Sequence, residues 1–258
     1  MILTKENYFS ADADYEYMGT SQFKQFEKCS ATAMAILRGE YIREVTVSML
    51  IGSYVDAYFE GSLDKFKTEH PEIFKRDGSL KSEFVHAEQI IERIERDAFF
   101  MKQLSGEKQV VMTGTISGVK VKIKVDSLLP DRIVDLKIMK DFSPIFVEGQ
   151  GRLPWFEAWR YDLQGAIYQE IVRQNTGEKL PFYLAAATSE KTPNIDVFLI
   201  EDDLLEYELS QFKTNAPAYD AMKKGVLYPE RCERCDYCKA TKVLSAENII
   251  RSGDLINE

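Results

Sequence analysis

Two aspartates and a lysine, Asp126, Asp135 and Lys137, are the residues of this sequence whose types and spacing are best suited to chemistry. They lie in Val121 to Lys140, VKIKVDSLLPDRIVDLKIMK, which alternates apolar and polar residues on both sides of Pro130-Asp131 and so reads as two strands joined by a turn. Along an extended strand successive side chains point to opposite faces, which puts Asp135 and Lys137 on one face and Val134, Leu136 and Ile138 on the other. Pairing across the turn brings Asp126 to Asp135, so that two carboxylates and an ammonium meet at one spot. Two hard oxygen ligands with open positions for water and a phosphate suit Mg²⁺ or Mn²⁺, and such an ion can activate water for attack on a phosphodiester. The competing reading is a solvated strand whose mixed charges simply face water.

Three further groups keep company with this stretch. Gly52-Ser53-Tyr54-Val55-Asp56 falls in an apolar helical segment, with Glu60 one turn beyond Asp56 on the same face. Gln164 and Tyr168, in YDLQGAIYQEI, stand at i and i+4 on one helix face. Of the four cysteines, Cys232, Cys235 and Cys238 are spaced for metal ligation, lack a fourth partner nearby, and leave Cys29 as the remaining candidate. The competing readings are an acidic residue on the solvent side of a helix, an unremarkable polar pair, and a bare thiol turn with Cys29 as a small buried hydrophobe.

Asp126 followed by Asp135-Leu136-Lys137 resembles the core of the PD-(D/E)xK nuclease superfamily, and the flanking motifs resemble its RecB-like and RecE-like exonucleases of phages and bacteria. The resemblance runs from about Ser21 to Lys242 and is strongest between Gly52 and Tyr168. It implies a restriction-endonuclease-like α/β fold in which Asp126 and Asp135 ligate Mg²⁺ or Mn²⁺, the Leu136 carbonyl adds a ligand, and Lys137 orients water and offsets developing charge. Asp56 occupies the position where these families place a histidine ligand, a departure that chemistry tolerates because a carboxylate suits Mg²⁺ better than imidazole does. Gln164 and Tyr168 match a Gln-x-x-x-Tyr motif taken to contact DNA. One N-terminal and three C-terminal cysteines resemble the iron–sulfur clasp of the helicase-associated nuclease AddB and of CRISPR adaptation nucleases, although the last spacing is shorter here. A [4Fe-4S] cluster is therefore the first expectation for Cys29, Cys232, Cys235 and Cys238, and structural Zn²⁺ the second.

The elements that must position these groups follow from periodicity. Residues 1 to 18 read as an irregular arm, and Ser21 to Gly39 as one helix capped by Ser21. A helix from Thr46 to Glu60, a surface excursion from Leu63 to Ser82 and a long helix from Lys81 to Leu104 follow. A three-strand meander with turns at Ser117-Gly118 and Pro130-Asp131 comes next. Then come a helix from Trp155 to Asn175, strands at FYLAAAT and NIDVFLI, a helix from Asp203 to Lys224, and the cysteine segment with a polar tail. The expected architecture is α/β, a central mixed β-sheet flanked by helices. It forms a single domain over 1–258, with a helical part at about 19–104, a sheet core at about 107–200 and a C-terminal part at about 203–244.

At 258 residues, with 45% hydrophobic and 29% charged residues, the chain has the composition of a globular protein. The N-terminal MILTKENYFS lacks the pattern of a signal peptide and no apolar run reaches membrane-spanning length, so the expected compartment is the cytoplasm, with no membrane partner. A net charge of −9 argues against nonspecific coating of nucleic acid and leaves open a local basic groove. His70 and His86 read as ordinary surface residues. The resemblance implies DNA as substrate, a homo-oligomeric ring and a single-strand annealing protein as partner. Two other readings stand beside it: a nuclease of single-stranded ends like those of CRISPR adaptation, and a noncatalytic nucleic-acid-binding or scaffold module on the same fold.

Overall fold

A computed structural model describes residues 1–249 and 251. The helices are α1 Ala11–Glu16, α2 Thr20–Lys28, α3 Ser30–Leu37, α4 Val47–Glu60, α5 Leu63–Glu69, α6 Ser82–Glu95 and α7 Ala98–Gln103 in the N-terminal half. They continue with α8 Trp155–Ala158, α9 Tyr161–Thr176, α10 Asp202–Lys223 and α11 Asp236–Ala240. The strands are β1 Glu107–Ile116, β2 Val119–Leu129, β3 Arg132–Met139, β4 Ile145–Val147, β5 Gly151–Leu153, β6 Phe182–Thr188 and β7 Ile195–Ile200.

Five strands form one sheet in the order β1-β2-β3-β6-β7, and β4 and β5 form a separate hairpin. All neighbours in the large sheet are antiparallel except β3 and β6, so it is mixed. The parallel pair requires a crossover, and α9 supplies it. Apolar side chains of α2, α9 and α10 cover one face of the sheet, against Val121, Ile123, Val125 and Leu184. The other face, with Val134, Leu136, Ala185 and Ala187, packs on α4 and α6. This is the expected α/β architecture of a restriction-endonuclease-like core. Among the described residues no helix is long and apolar enough to cross a membrane.

The meander, the two later strands and the helix ending at Glu60 form where periodicity placed them, and Thr46 caps α4 by accepting from the Met49 N–H. Elsewhere local structure differs. Residues 1 to 18 are not an irregular arm: they contain α1, and Met18 exchanges backbone hydrogen bonds with Lys120 and Lys122 on β2. That cover buries Lys122, whose Nζ donates to the Tyr8 carbonyl and the Asp14 carboxylate. The helix expected from Ser21 to Gly39 is two helices, because Cys29 is extended (φ −169°, ψ 106°). Gly19, not Ser21, caps α2. The N–H of Ala31 freed by the break is satisfied by the Glu230 carbonyl, 3.0 Å away. Asp97 likewise interrupts the helix expected from Lys81 to Leu104 by capping α7 at the Phe100 N–H. Leu63 to Ser82 is no surface excursion, since α5 and the 3₁₀ turn Pro71–Ile73 bury Phe66 and Ile73 against α4 and α6. The part of the polar tail at residue 250 and from 252 onward lies outside the described residues.

Candidate active site

The site begins with a fault in β2. The β1–β2 ladder pairs Lys108 with Ser127 and Val110 with Val125 but passes over Gln109 and Asp126. The β2–β3 ladder ends at Ser127 and Val134, so Asp126 and Asp135, next in that register, do not pair with each other, while Asp135 keeps its partner Leu184 on β6. Val125 packs into the core under α9, whereas the Ser127 hydroxyl donates to the Gln103 carbonyl of α7 on the other side. Residues two apart on a regular strand share a face, so β2 rolls through the sheet at Asp126. Neighbouring strands part there, and groups from both faces of the sheet can enter the gap.

Asp126 spans the parted strands. Its Oδ2 accepts the Leu136 N–H at 3.1 Å, replacing a ladder bond, and its Oδ1 accepts from Gln109 Nε2 at 3.2 Å. Asp135 is 1% exposed; its Oδ1 accepts from Gln164 Nε2 at 2.6 Å, and Lys137 Nζ forms a close ion pair with its Oδ2. Lys137 also donates to the Leu136 carbonyl at 3.2 Å and lies 5.0 Å from the centre of the Tyr161 ring. Burial, reinforced by Asp126, raises the Asp135 carboxyl to about 7 against the pull of Lys137. For Lys137 burial acts downward, yet the Asp135 and Asp126 carboxylates outweigh it and hold the ammonium above the ordinary lysine range. Lys137 is therefore a fixed cation at neutral pH.

From the opposite face, α4 brings Asp56 and Glu60 into a pocket of about 10 Å³, shared with Phe59, Leu104, Lys108, Gln109, Asp126 and Leu136. Asp56 is half-buried rather than on the solvent side of its helix. Burial first, then the neighbouring Asp126, pushes its carboxyl well above the usual range. Carboxylates crowded in this way are the donor set that a hard divalent cation neutralises, and Asp135 Oδ2 is buried without a hydrogen bond of good geometry. The residues present fit Mg²⁺ or Mn²⁺.

Sequence reasoning thus brought together Asp56, Glu60, Asp126, Asp135, Leu136, Lys137 and Gln164. Tyr168 stands one turn further in, buried, with its hydroxyl donating to the Lys124 carbonyl at 3.0 Å. His70 pairs with Glu72 and His86 reaches the Ser189 carbonyl; neither lines the pocket. Three neighbours went unpredicted. Gln109 and Tyr161 carry no motif. Lys24, on α2, lies 4.9 Å from the face of the same Tyr161 ring and donates to the Trp159 carbonyl. Burial, then Lys137, lowers Lys24 to about 7. Lys5 and Lys124 complete a basic rim: Lys5 donates to the Lys108 carbonyl, and Lys124 lies 3.9 Å from Glu60.

The four cysteines meet as expected, with their Sγ atoms all within 4.8 Å of one another. Cys29 and Cys238 are 3.5 Å apart, and the backbone N–H groups of Cys235 and Cys238 point at the sulfurs of Cys232 and Cys235. Against burial, which raises it, donors from Thr32 bring the Cys29 thiol down to about 6. Four thiols gathered at one point, with Cys29 favouring thiolate while burial pushes Cys238 up, fit a thiophilic metal or a cluster.

A gapped mixed sheet with this Asp, Asp-x-Lys and helix-borne Gln arrangement defines a member of the PD-(D/E)xK nuclease superfamily. The chain belongs to the PDDEXK-like domain family of unknown function DUF3799, whose sequence profile matches residues 19–241. It is similar to a crystal structure of a candidate exonuclease from Eubacterium rectale, with a TM-score of 0.94 and 47% identity, covering 100% of this chain and 99% of that chain. No curated protein matches it.

Proposed function

We propose that this chain is a divalent-metal-dependent DNA exonuclease of the RecE-like kind, hydrolysing phosphodiester bonds inward from duplex ends in phage-type recombination. The observation that carries this reading is the continuous set of contacts across the parted strands. Gln109 donates to Asp126, Asp126 accepts from Leu136, and Gln164 and Lys137 converge on Asp135. Asp56, Asp126, Asp135 and the Leu136 carbonyl would hold Mg²⁺ or Mn²⁺, which when bound acidifies the attacking water and draws charge from the phosphate. Lys137, kept charged by two carboxylates, orients that water and offsets the negative charge that builds on the phosphoryl oxygens as the phosphorus is attacked. Gln164 fixes the Asp135 rotamer. Both Gln164 and Tyr168 then act first as positioning groups, because their polar atoms are already bonded within the protein, and Gln164 stands closer to a DNA strand entering the gap.

The four cysteines tie the start of α3 to α11 and the segment before it, and would hold one tetrahedral Zn²⁺ or a [4Fe-4S] cluster. A spread of no more than 4.8 Å favours the single ion, since a four-iron cluster assigns each sulfur to a different iron. Elemental analysis and the visible spectrum of anaerobically purified protein separate the two: one zinc and no colour, or four irons with a brown charge-transfer band.

Linear and covalently closed duplexes of one sequence, incubated with Mg²⁺, with Mn²⁺ and with chelator, test the activity. Loss of the linear form alone, blocked by chelator, is expected. Cutting of closed circles would make the protein an endonuclease, and inertness toward both would favour the binding-module reading. Light scattering of the same preparation reports whether the chain self-associates, as the RecE-like reading expects.

A further inference from the structure

Gln109 is the residue of the gap that the assigned roles leave without an explanation. Its backbone is left-handed (φ 53°), a region that a long unbranched side chain rarely occupies inside a strand. The turn of the chain there drives its side chain inward, where the residue is only 7% exposed. The amide orientation is fixed by chemistry: the atom facing Asp126 Oδ1 at 3.2 Å must be the Nε2 donor, because a carboxylate only accepts. Oε1 is consequently turned away from Asp126, and it is buried with no hydrogen-bond partner. Gln109 lines the same small pocket as Asp56, Glu60 and Asp126. A buried carbonyl oxygen without a donor is destabilising unless something electropositive faces it, and no side chain of the pocket, Lys108 included, is hydrogen-bonded to it.

We propose that Gln109 is a neutral oxygen ligand of the divalent-cation site, offering Oε1 to the pocket that Asp56 and Asp126 also line while its Nε2 holds Asp126 in place. This deepens the metal-site reading and rests on it. A neutral amide oxygen is a normal partner for a hard cation. It adds coordination without the repulsion that another carboxylate would bring to Asp56, Glu60 and Asp126. The left-handed backbone at position 109 is the local distortion that aims this oxygen, and it coincides with the point where both ladders let go of Asp126.

Direct Mn²⁺ titration tests the assignment, with the free ion followed by electron paramagnetic resonance and no DNA present. Mn²⁺ prefers oxygen over thiolate, so the four-cysteine site does not compete. The parent protein is compared with Asp126→Ala, Gln109→Ala and Gln109→Glu, each checked by thermal melting in chelator. Loss of the ligand is expected to weaken Mn²⁺ about 10-fold or more in Gln109→Ala. Gln109→Glu keeps an oxygen and adds charge but gives up the amide donor, so it is expected to bind Mn²⁺ at least as tightly as the parent. If Gln109 is only a donor to Asp126, Gln109→Glu falls with Gln109→Ala, and that result overturns the proposal while leaving the metal site intact. Unchanged affinity in both variants overturns it equally. A parent protein that binds no Mn²⁺, or an Asp126→Ala variant that binds normally, removes the metal site itself and this ligand with it. Should Gln109→Ala fail to fold, Gln109→Met, which fills the same volume without an oxygen, takes its place: weakened Mn²⁺ binding is expected, and parent-like affinity overturns the proposal.

Discussion

Lys137 and Asp135 form a buried ion pair whose members have different work. The lysine has two carboxylates around it, so its charge is fixed, and in the proposed mechanism it acts as an electrostatic group toward the phosphate. Lys137→Ala is expected to lower kcat by roughly 10² to 10³, with little change in the KM for DNA, in single-turnover digestion of a linear duplex. Gln164 contacts Asp135, which the proposed mechanism assigns to the metal. Gln164→Leu removes the donor to Asp135 Oδ1, and the Mg²⁺ concentration for half-maximal rate is expected to rise roughly 10- to 100-fold. An unchanged metal requirement would mean that the amide does not set the carboxylate's geometry. Asp135, Leu136 and Lys137 were legible in the sequence because strand alternation converts spacing directly into direction. Gln109, Tyr161 and Lys24 were not, because each reaches the site through a departure from regular structure or through a distant packing contact, and neither leaves a periodic trace.

At the scale of elements, α9 is the part that holds β3 and its acids to account. Gly165, beside Gln164, lets the helix lie directly on β6: a Cβ there would come within 2.4 Å of the Phe182 ring. Gly165→Ala is expected to destabilise by about 1–3 kcal/mol, a fall in Tm of about 2–4 °C per kcal/mol for a chain of this size. The first turn of α9 also carries Asp162, 2% exposed, whose carboxyl burial and Glu208 raise to about 7. A carboxyl with a raised folded-state pKa contributes stability that is fully present below its unfolded value of about 4 and is lost as pH rises through about 7. Asp162→Asn removes that penalty, so its Tm relative to the parent is expected to be higher at pH 8 than at pH 5; a constant difference between the two pH values would contradict the shift. Three helix breaks escaped the sequence reading: those at Cys29 and Asp97, and one at Arg160, whose left-handed backbone (φ 56°) divides the helix expected from Trp155 to Asn175 into α8 and α9. In each the apolar stripe continues across the break, while the interruption is set by long-range partners at two of them, Glu230 for the start of α3 and Glu27 and Glu208 for Arg160, and by a local side-chain cap at Asp97.

For the whole molecule, the cysteine clasp joins residues some two hundred positions apart and fixes the end of α2, the helix that presents Lys24 beside Tyr161. The pairing of Cys29 with the C-terminal trio was legible from cysteine count alone, whereas the kind of metal is a matter of sulfur geometry that spacing does not encode. Cys29→Ser is expected to lower Tm by several degrees and to loosen α2, which binding-linked stability accounts for, since a tightly held ion contributes about 3–4 kcal/mol at 100 to 1,000 times its dissociation constant. A variant that melts with the parent would show the clasp to be dispensable. The net charge of −9 leaves a local group of lysines about the gap: Lys5, Lys108, Lys124 and Lys137 reach it from four segments, with Lys24 beside Tyr161, and the carboxylates among them are what a bound cation would neutralise. The most direct test of the account is the rate of nucleotide release from a linear duplex in Mg²⁺ by the parent and by Asp135→Asn, a variant that keeps the shape of the site, with both proteins matched for melting temperature and cysteine-bound metal. The account predicts rapid release by the parent and a loss of at least about 10² in the variant; equal rates would contradict the placement of the chemistry at the parted strands.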